Sequence, residues 1–312
     1  GRKLAQRLAK DGTLGGKTIG GLTLYDVVPP EAPAGAGFPV ATLVGDLPAD
    51  GEAAKLVADK PDVIFHLAAI VSGEAELDFD KGYRINLDGT MRLFDAIRAA
   101  GHAPRVVFTS SIAVFGAPFP ERIPDDFHTT PLTSYGTQKA IGELLLADYT
   151  RKGIFDGIGI RLPTICVRPG RPNKAASGFF SNIIREPLVG QGAVLPVSDD
   201  VRHWHASPRS AVGFLLHAAT IDGDEVGARR NLTMPGISVT VGEQISALRE
   251  VAGEKAVALI RREPDELIMR VVAGWPRDFD ARRSVDLGFE ADRSFVDIIA
   301  THIADELGGK IA

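Results

Sequence analysis

The chain has 312 residues, 45% of them hydrophobic and 24% charged, with a net charge of -5. That length supports one large domain or a domain with a smaller companion, and the acidic balance offers no basic face to nucleic acid. No apolar run reaches the 18 residues of a membrane span, no signal-peptide pattern stands out, and the single cysteine, Cys166, excludes an internal disulfide; a cytoplasmic protein without membrane contact is expected.

The first segment, GRKLAQRLAKDG, carries Leu4, Ala5 and Leu8 at helical spacing and predicts an amphipathic helix. Four continuous apolar runs follow, at 22–28, 62–70, 105–116 and 157–167, each reading as a strand covered on both faces. Between them, 46–60, 83–101 and 133–153 have helical length. In the second of these, Leu87, Met91, Phe94 and Ile97 form one stripe and Gly101 stands where a helix ends. Strand and helix in regular alternation predict an α/β fold: a Rossmann-type, doubly wound parallel sheet over 1–167. After residue 168 the pattern becomes uneven and predicts a smaller mixed substrate-binding region over 168–312, with a possible strand or helix returning to the first sheet.

The chemistry concentrates in TSYGTQKA at 133–140. Tyr135 and Lys139 are one helical turn apart, and upstream an apolar strand ends in Thr109-Ser110-Ser111, at the strand end where open α/β sheets bind ligands. A free phenol titrates near ~10, too high for a base at neutral pH, but a nearby ammonium favours the phenolate. Tyr135 can then take a hydroxyl proton, Ser111 can hold the oxygen, and Lys139 can tune the phenol. The hydride that leaves with the proton needs an external acceptor, because no protein side chain takes one. A nicotinamide cofactor is therefore expected.

These residues stand among seven features in a fixed order: Asp26 at the acidic end of the strand in the first run, Gly45-Asp46-Leu47, His66-Leu67-Ala68-Ala69, Asn86-Leu87-Asp88-Gly89-Thr90, Thr109-Ser110-Ser111, Tyr135 with Lys139, and Arg161-Leu162-Pro163-Thr164. In that order the chain resembles the extended short-chain dehydrogenase/reductases over nearly its whole length. The resemblance implies NAD as cofactor, with Asp26 on the adenosine ribose, where a carboxylate accepts the 2′-OH and repels a 2′-phosphate. It implies further cofactor contacts at Gly1, Asp46, Leu47, Leu67, Ala68, Ala69, Asn86, Thr109, Tyr135, Lys139, Pro163 and Thr164. The complete glycine phosphate loop of that family is not found. Gly1 reads as its last glycine, with about a dozen residues, a strand and the start of the loop, expected before it. GAGFPV at 35–40 and GQGAVLP at 190–196 lack the flanking strand and carry Pro39 and Pro196 where a helix should start.

Ile112 and Ala113 replace the acid pair of dehydratases in the family, which disfavours water elimination. The stretch 161–190 is similar to members that oxidise C2 of a four-carbon sugar acid. On that resemblance Arg171, Asn173, Ser177, Phe179 and Arg202 are substrate candidates beside Ser111 and Tyr135. A nucleotide-sugar epimerase and a non-catalytic NAD sensor are the alternatives. His203 and His205 lack a third ligand nearby, so no metal is expected. Asp125-Asp126 and Asp199-Asp200 read as solvated turns, and Trp204 and Trp275 as packing residues. Cys166 reads as a buried small hydrophobe. The helices 83–100 and 133–151, with Leu93, Leu144 and Leu145, suggest a homodimer by the same resemblance.

Overall fold

A computed structural model describes residues 1–170 and 177–312. Four parallel strands make the main sheet in the order β8-β5-β4-β3: β3 (Val63–His66), β4 (Arg105–Ser111), β5 (Asp156–Leu162) and β8 (Asn231–Thr233). A separate parallel pair holds β1 (Leu22–Asp26) and β2 (Val40–Val44). Among the described residues β1 pairs only with β2, and β3 only with β4. A third sheet joins β6 (Thr164–Ile165), β7 (Arg202–Ala206) and β9 (Ile237–Thr240), with β7 and β9 antiparallel.

Both faces of the main sheet are covered, as the continuous apolar runs require. Val106 and Phe108 of β4 pack with Phe94 and Ile97 of α3 (Gly89–Ala100) and with Leu146 of α4 (Ser134–Arg151). Val107 points to the other side, into a cluster with Leu4 and Leu8 of α1 (Arg2–Asp11) and Phe214 of α6 (Pro208–Thr220). A third core lies in the C-terminal half, where Phe180, Ile183 and Ile184 of α5 (Gly178–Leu188) meet Ile245 and Leu248 of α7 (Val241–Val257) and Ile298 and Ile299 of α8 (Phe295–Glu306).

Several expectations are corrected. The predicted strands include none at 40–44, where the structure has β2. The first predicted crossover helix is shorter than 46–60: α2 spans Glu52–Val57, because the chain turns through Pro48 and Gly51 before it. Met91 is 41% exposed; the buried stripe of α3 is Thr90, Leu93, Phe94 and Ile97, and Tyr83–Asp88 before it winds as a π-helix. Leu93 therefore belongs to the core, and Leu145 packs partly against it, whereas Leu144 is 70% exposed. Contacts run across residue 167 in both directions: β8 and α6 return to the main sheet, the kind of return the sequence allowed, and β6 pairs with β7.

Helix α4 is pressed unusually close to β4. The Thr133 side chain caps it by accepting from Gly136 N, and a Cβ at Gly142 would lie 2.6 Å from the Phe108 ring, so glycine permits this approach. Two turns from Tyr135, Glu143 points into the same seam. Its carboxylate accepts from Ser110 Oγ at 2.6 Å, from Arg161 Nε at 2.9 Å and from Arg161 Nη2 at 2.8 Å. Ser110 and Arg161 are themselves opposite each other in the β4–β5 ladder. One buried carboxylate thus ties α4 to two strands. Removing it leaves a buried guanidinium without its counter-charge, so Glu143→Ala should cost about 3–5 kcal/mol of stability in urea unfolding. A loss below about 1 kcal/mol would contradict this role.

Candidate active site

The clamp delivers Tyr135 and Lys139 to the end of β4. Lys139 Nζ donates to the Thr109 carbonyl at 2.7 Å and lies 5.7 Å from the centre of the Tyr135 ring. Ser111, the last residue of β4, is half-buried; its Oγ accepts from Ala113 N at 3.1 Å and sits beside the Tyr135 phenol, where it acts to lower the phenol's pKa. The three side chains named from the sequence therefore converge at one strand end.

Their electrostatics refine the expectation. Burial pushes the Tyr135 phenol up to about 12, with the Ser111 hydroxyl acting the other way. Burial also pulls Lys139 down to about 8, partly offset by the nearby Glu143 carboxylate. Lys139 does not by itself bring the phenol into the neutral range. A further cation beside the phenol would be needed to draw its proton off at moderate pH.

The residues proposed for a dinucleotide fall along one route. Gly1 is the N-cap of α1, where free backbone N–H groups favour a phosphate, and Asp26 ends β1. Asp26 is exposed, and among the described residues its carboxylate receives only a long 3.4 Å contact from Val28 N. Ala68 and Ala69 are small and exposed just after β3. Half-buried Thr164 lies two residues beyond Leu162, the partner of Ser111 in the ladder, with buried Pro163 between them. This donor and acceptor set fits NAD: an acid for the ribose diol, a helix N-terminus for the pyrophosphate and room at the alanines.

Other expected contacts take structural positions. Asn86 is buried and bonds Ile70 N at 2.8 Å, Ile70 O at 3.3 Å and Gln138 Oε1 at 2.8 Å, so its amide holds the turn after β3. Leu47 is in the core, Leu67 packs partly against the α1 cluster, and Asp46 pairs with Arg84 at 2.6 Å. The Thr109 hydroxyl donates to the His66 carbonyl at 3.0 Å.

Among the substrate candidates, Arg171 and Asn173 lie outside the described residues. Ser177 accepts from Arg168 Nη2 at 3.0 Å, an interaction the sequence did not reveal. Phe179 is buried against Phe180, and Arg202 bonds the Ser238 carbonyl at 2.9 Å and pairs with Glu243 at 3.2 Å. Asp125 is not a solvated turn: it accepts from Thr233 N and pairs with Arg283 at 2.8 Å in a largely buried position. His203 and His205 are buried and form no metal cluster with other side chains among the described residues. Trp204 is a packing residue whose Nε1 donates to the Met234 carbonyl, and Cys166 is buried with its thiol pushed up to about 12 by burial.

The model of the NAD dependent epimerase/dehydratase family matches residues 1–208. The chain is 45% identical over 309 residues to a D-erythronate dehydrogenase of Cupriavidus necator, covering 98% of this chain and 95% of that one. It is 45% identical over 249 residues to a D-erythronate dehydrogenase of Haemophilus influenzae, covering 80% and 79%. Among solved structures, one described as the nucleoside-diphosphate-sugar epimerase from Agrobacterium tumefaciens superposes with a TM-score of 0.98 at 72% identity, covering 100% of this chain and 92% of that one. An L-threonine 3-dehydrogenase from Trypanosoma brucei superposes with a TM-score of 0.85 at 22% identity, covering 100% and 95%, a likeness of fold.

Two measurements test the site. Tyr135→Phe should lower turnover by about 100- to 10,000-fold while dinucleotide binding persists; retained turnover would remove Tyr135 as the base. The second concerns acid. Burial holds His66 down to about 3, His203 down to about 4 and His205 well below the usual value, so all three fold as neutral rings. Unfolded histidines protonate below about 6.5, so their contribution is complete above that pH. It declines as pH falls towards 4, by about 1.4 kcal/mol per unit for each ring. Denaturation midpoints measured from pH 7 to pH 4.5 should fall steeply, and a flat profile would contradict neutral burial.

Proposed function

The chain belongs to the NAD dependent epimerase/dehydratase family, and from that premise we propose that it is an NAD-dependent dehydrogenase of a four-carbon sugar acid, oxidising C2 of D-erythronate. The observation that carries this reading is the convergence of Ser111, Tyr135 and Lys139, in a chain 45% identical to D-erythronate dehydrogenase along almost its full length. Bound NAD supplies the hydride acceptor and a ring that is cationic when oxidised.

In this reading Ser111 Oγ holds the substrate oxygen and Tyr135 Oη takes the hydroxyl proton as the C2–H bond gives up hydride. Lys139, fixed by the Thr109 carbonyl, adds positive charge beside the phenolate. Asp26 would hold the ribose 2′-OH, which favours NAD over NADP, with Gly1 and α1 at the pyrophosphate and Ala68, Ala69, Pro163 and Thr164 along the dinucleotide. Arg171, Asn173, Ser177, Phe179 and Arg202 remain the proposed substrate contacts, with an arginine fork suited to a carboxylate.

We place the enzyme in the cytoplasm as a homodimer. Its single cysteine and the absence of a membrane-length helix among the described residues support the first. Leu144 on α4, with Leu77 of the neighbouring helix Ser72–Leu77, exposes apolar surface that supports the second. The 72% identical epimerase favours a second reading, interconversion of nucleotide sugars on tightly held NAD.

Incubation with NAD and D-erythronate, followed at the NADH absorbance band, should give NADH in proportion to the acid consumed. Turnover of nucleotide sugars without net NADH would overturn the dehydrogenase reading in favour of an epimerase. Silence with both would leave a non-catalytic NAD-binding protein.

A further inference from the structure

The Thr164 hydroxyl is 2.7 Å from Nε2 of His203, on the neighbouring strand β7. The other ring nitrogen, Nδ1, is 2.9 Å from the carbonyl oxygen of Pro276. A carbonyl oxygen only accepts, so Nδ1 carries the ring hydrogen. Burial keeps the ring neutral, with its pKa pulled down to about 4, so Nε2 is left with a lone pair and no hydrogen. The Thr164 hydroxyl must therefore donate to His203. Phe180 holds the ring plane by stacking at 5.2 Å with 3° between planes, and Trp275 packs at 5.3 Å.

Once its hydrogen is committed, the Thr164 oxygen can only accept from anything else. Thr164 is half-buried while His203 is buried, and no other side chain among the described residues bonds that oxygen. It lies two residues beyond Leu162, the ladder partner of Ser111, roughly 7 Å along the chain from that residue. A fixed acceptor repels a carboxylate and is indifferent to hydroxyls, which turn either way. It selects a group that can only donate, and the amide nitrogen of a primary carboxamide is one.

We propose that His203 is a positioning residue that fixes the Thr164 hydroxyl as an acceptor for the carboxamide N–H of the nicotinamide. This rests on the dehydrogenase reading above. His203 never touches the cofactor; it sets the polarity of the group that does.

The test compares the binding of NAD with that of its 3-acetylpyridine analogue, which keeps the carbonyl but lacks the N–H, by calorimetry. The unaltered protein should prefer NAD by about tenfold, the worth of one hydrogen bond. In His203→Phe the hydroxyl is free to turn towards the carbonyl of either molecule, and the preference should collapse towards one. Thr164→Val should remove it as well. A merely structural His203 would weaken both dinucleotides alike and keep their ratio, which would overturn the inference. Equal binding by the unaltered protein would overturn it too while sparing the dehydrogenase reading, and failure to bind either dinucleotide would overturn both. Nitrogen-15 spectra of the histidine-labelled protein need no variant. They should show His203 neutral with its hydrogen on Nδ1, and a hydrogen on Nε2 would refute the inference.

Discussion

The site depends on one buried carboxylate. Glu143 sits at the junction of α4 with the ends of β4 and β5, and its two oxygens receive Ser110 and both arms of Arg161. A buried ion pair gives little net stability compared with apolar packing, but it is intolerant of displacement, because any shift leaves a charge unmatched. That intolerance suits a site in which Ser111 comes from a strand and Tyr135 and Lys139 from a helix. Gly142 allows the helix to approach, and Glu143 fixes the height at which it stops.

Burial also sets the chemistry. The surroundings that push Tyr135 up and pull Lys139 down disfavour charge on both, and the phenol rests protonated. Such a site holds its phenol protonated until positive charge arrives beside it. In the proposed reading, a bound oxidised nicotinamide would supply that charge, and loss of the Tyr135 proton would follow its binding. The neutral His203 behind Thr164 follows the same logic, with hydrogen-bond polarity fixed by burial and by one carbonyl.

Much of this was legible in the sequence. Continuous apolar runs revealed the parallel sheet, because strands covered on both faces have no polar side to show. Tyr135 and Lys139 were legible from their spacing, and Ser111 from its place at the end of a strand. Glu143 shares that spacing four residues further on, but an acid on a helix reads as solvated unless its partners are seen, and Arg161 and Ser110 are remote in sequence. His203 lies 39 residues from Thr164, and only tertiary structure joins them. Leu93 and Met91 exchanged roles because the buried stripe of α3 runs through Thr90, Leu93, Phe94 and Ile97, one step round the helix from the stripe through Met91.

The central claim is that Ser111, Tyr135 and Lys139 direct a hydride from substrate carbon to cofactor. It is tested most directly by following deuterium from D-erythronate labelled at C2 through one turnover with NAD. The account predicts the label on the nicotinamide ring of the NADH formed and none in solvent. Deuterium released to water, or retained on carbon with no NADH formed, would contradict it.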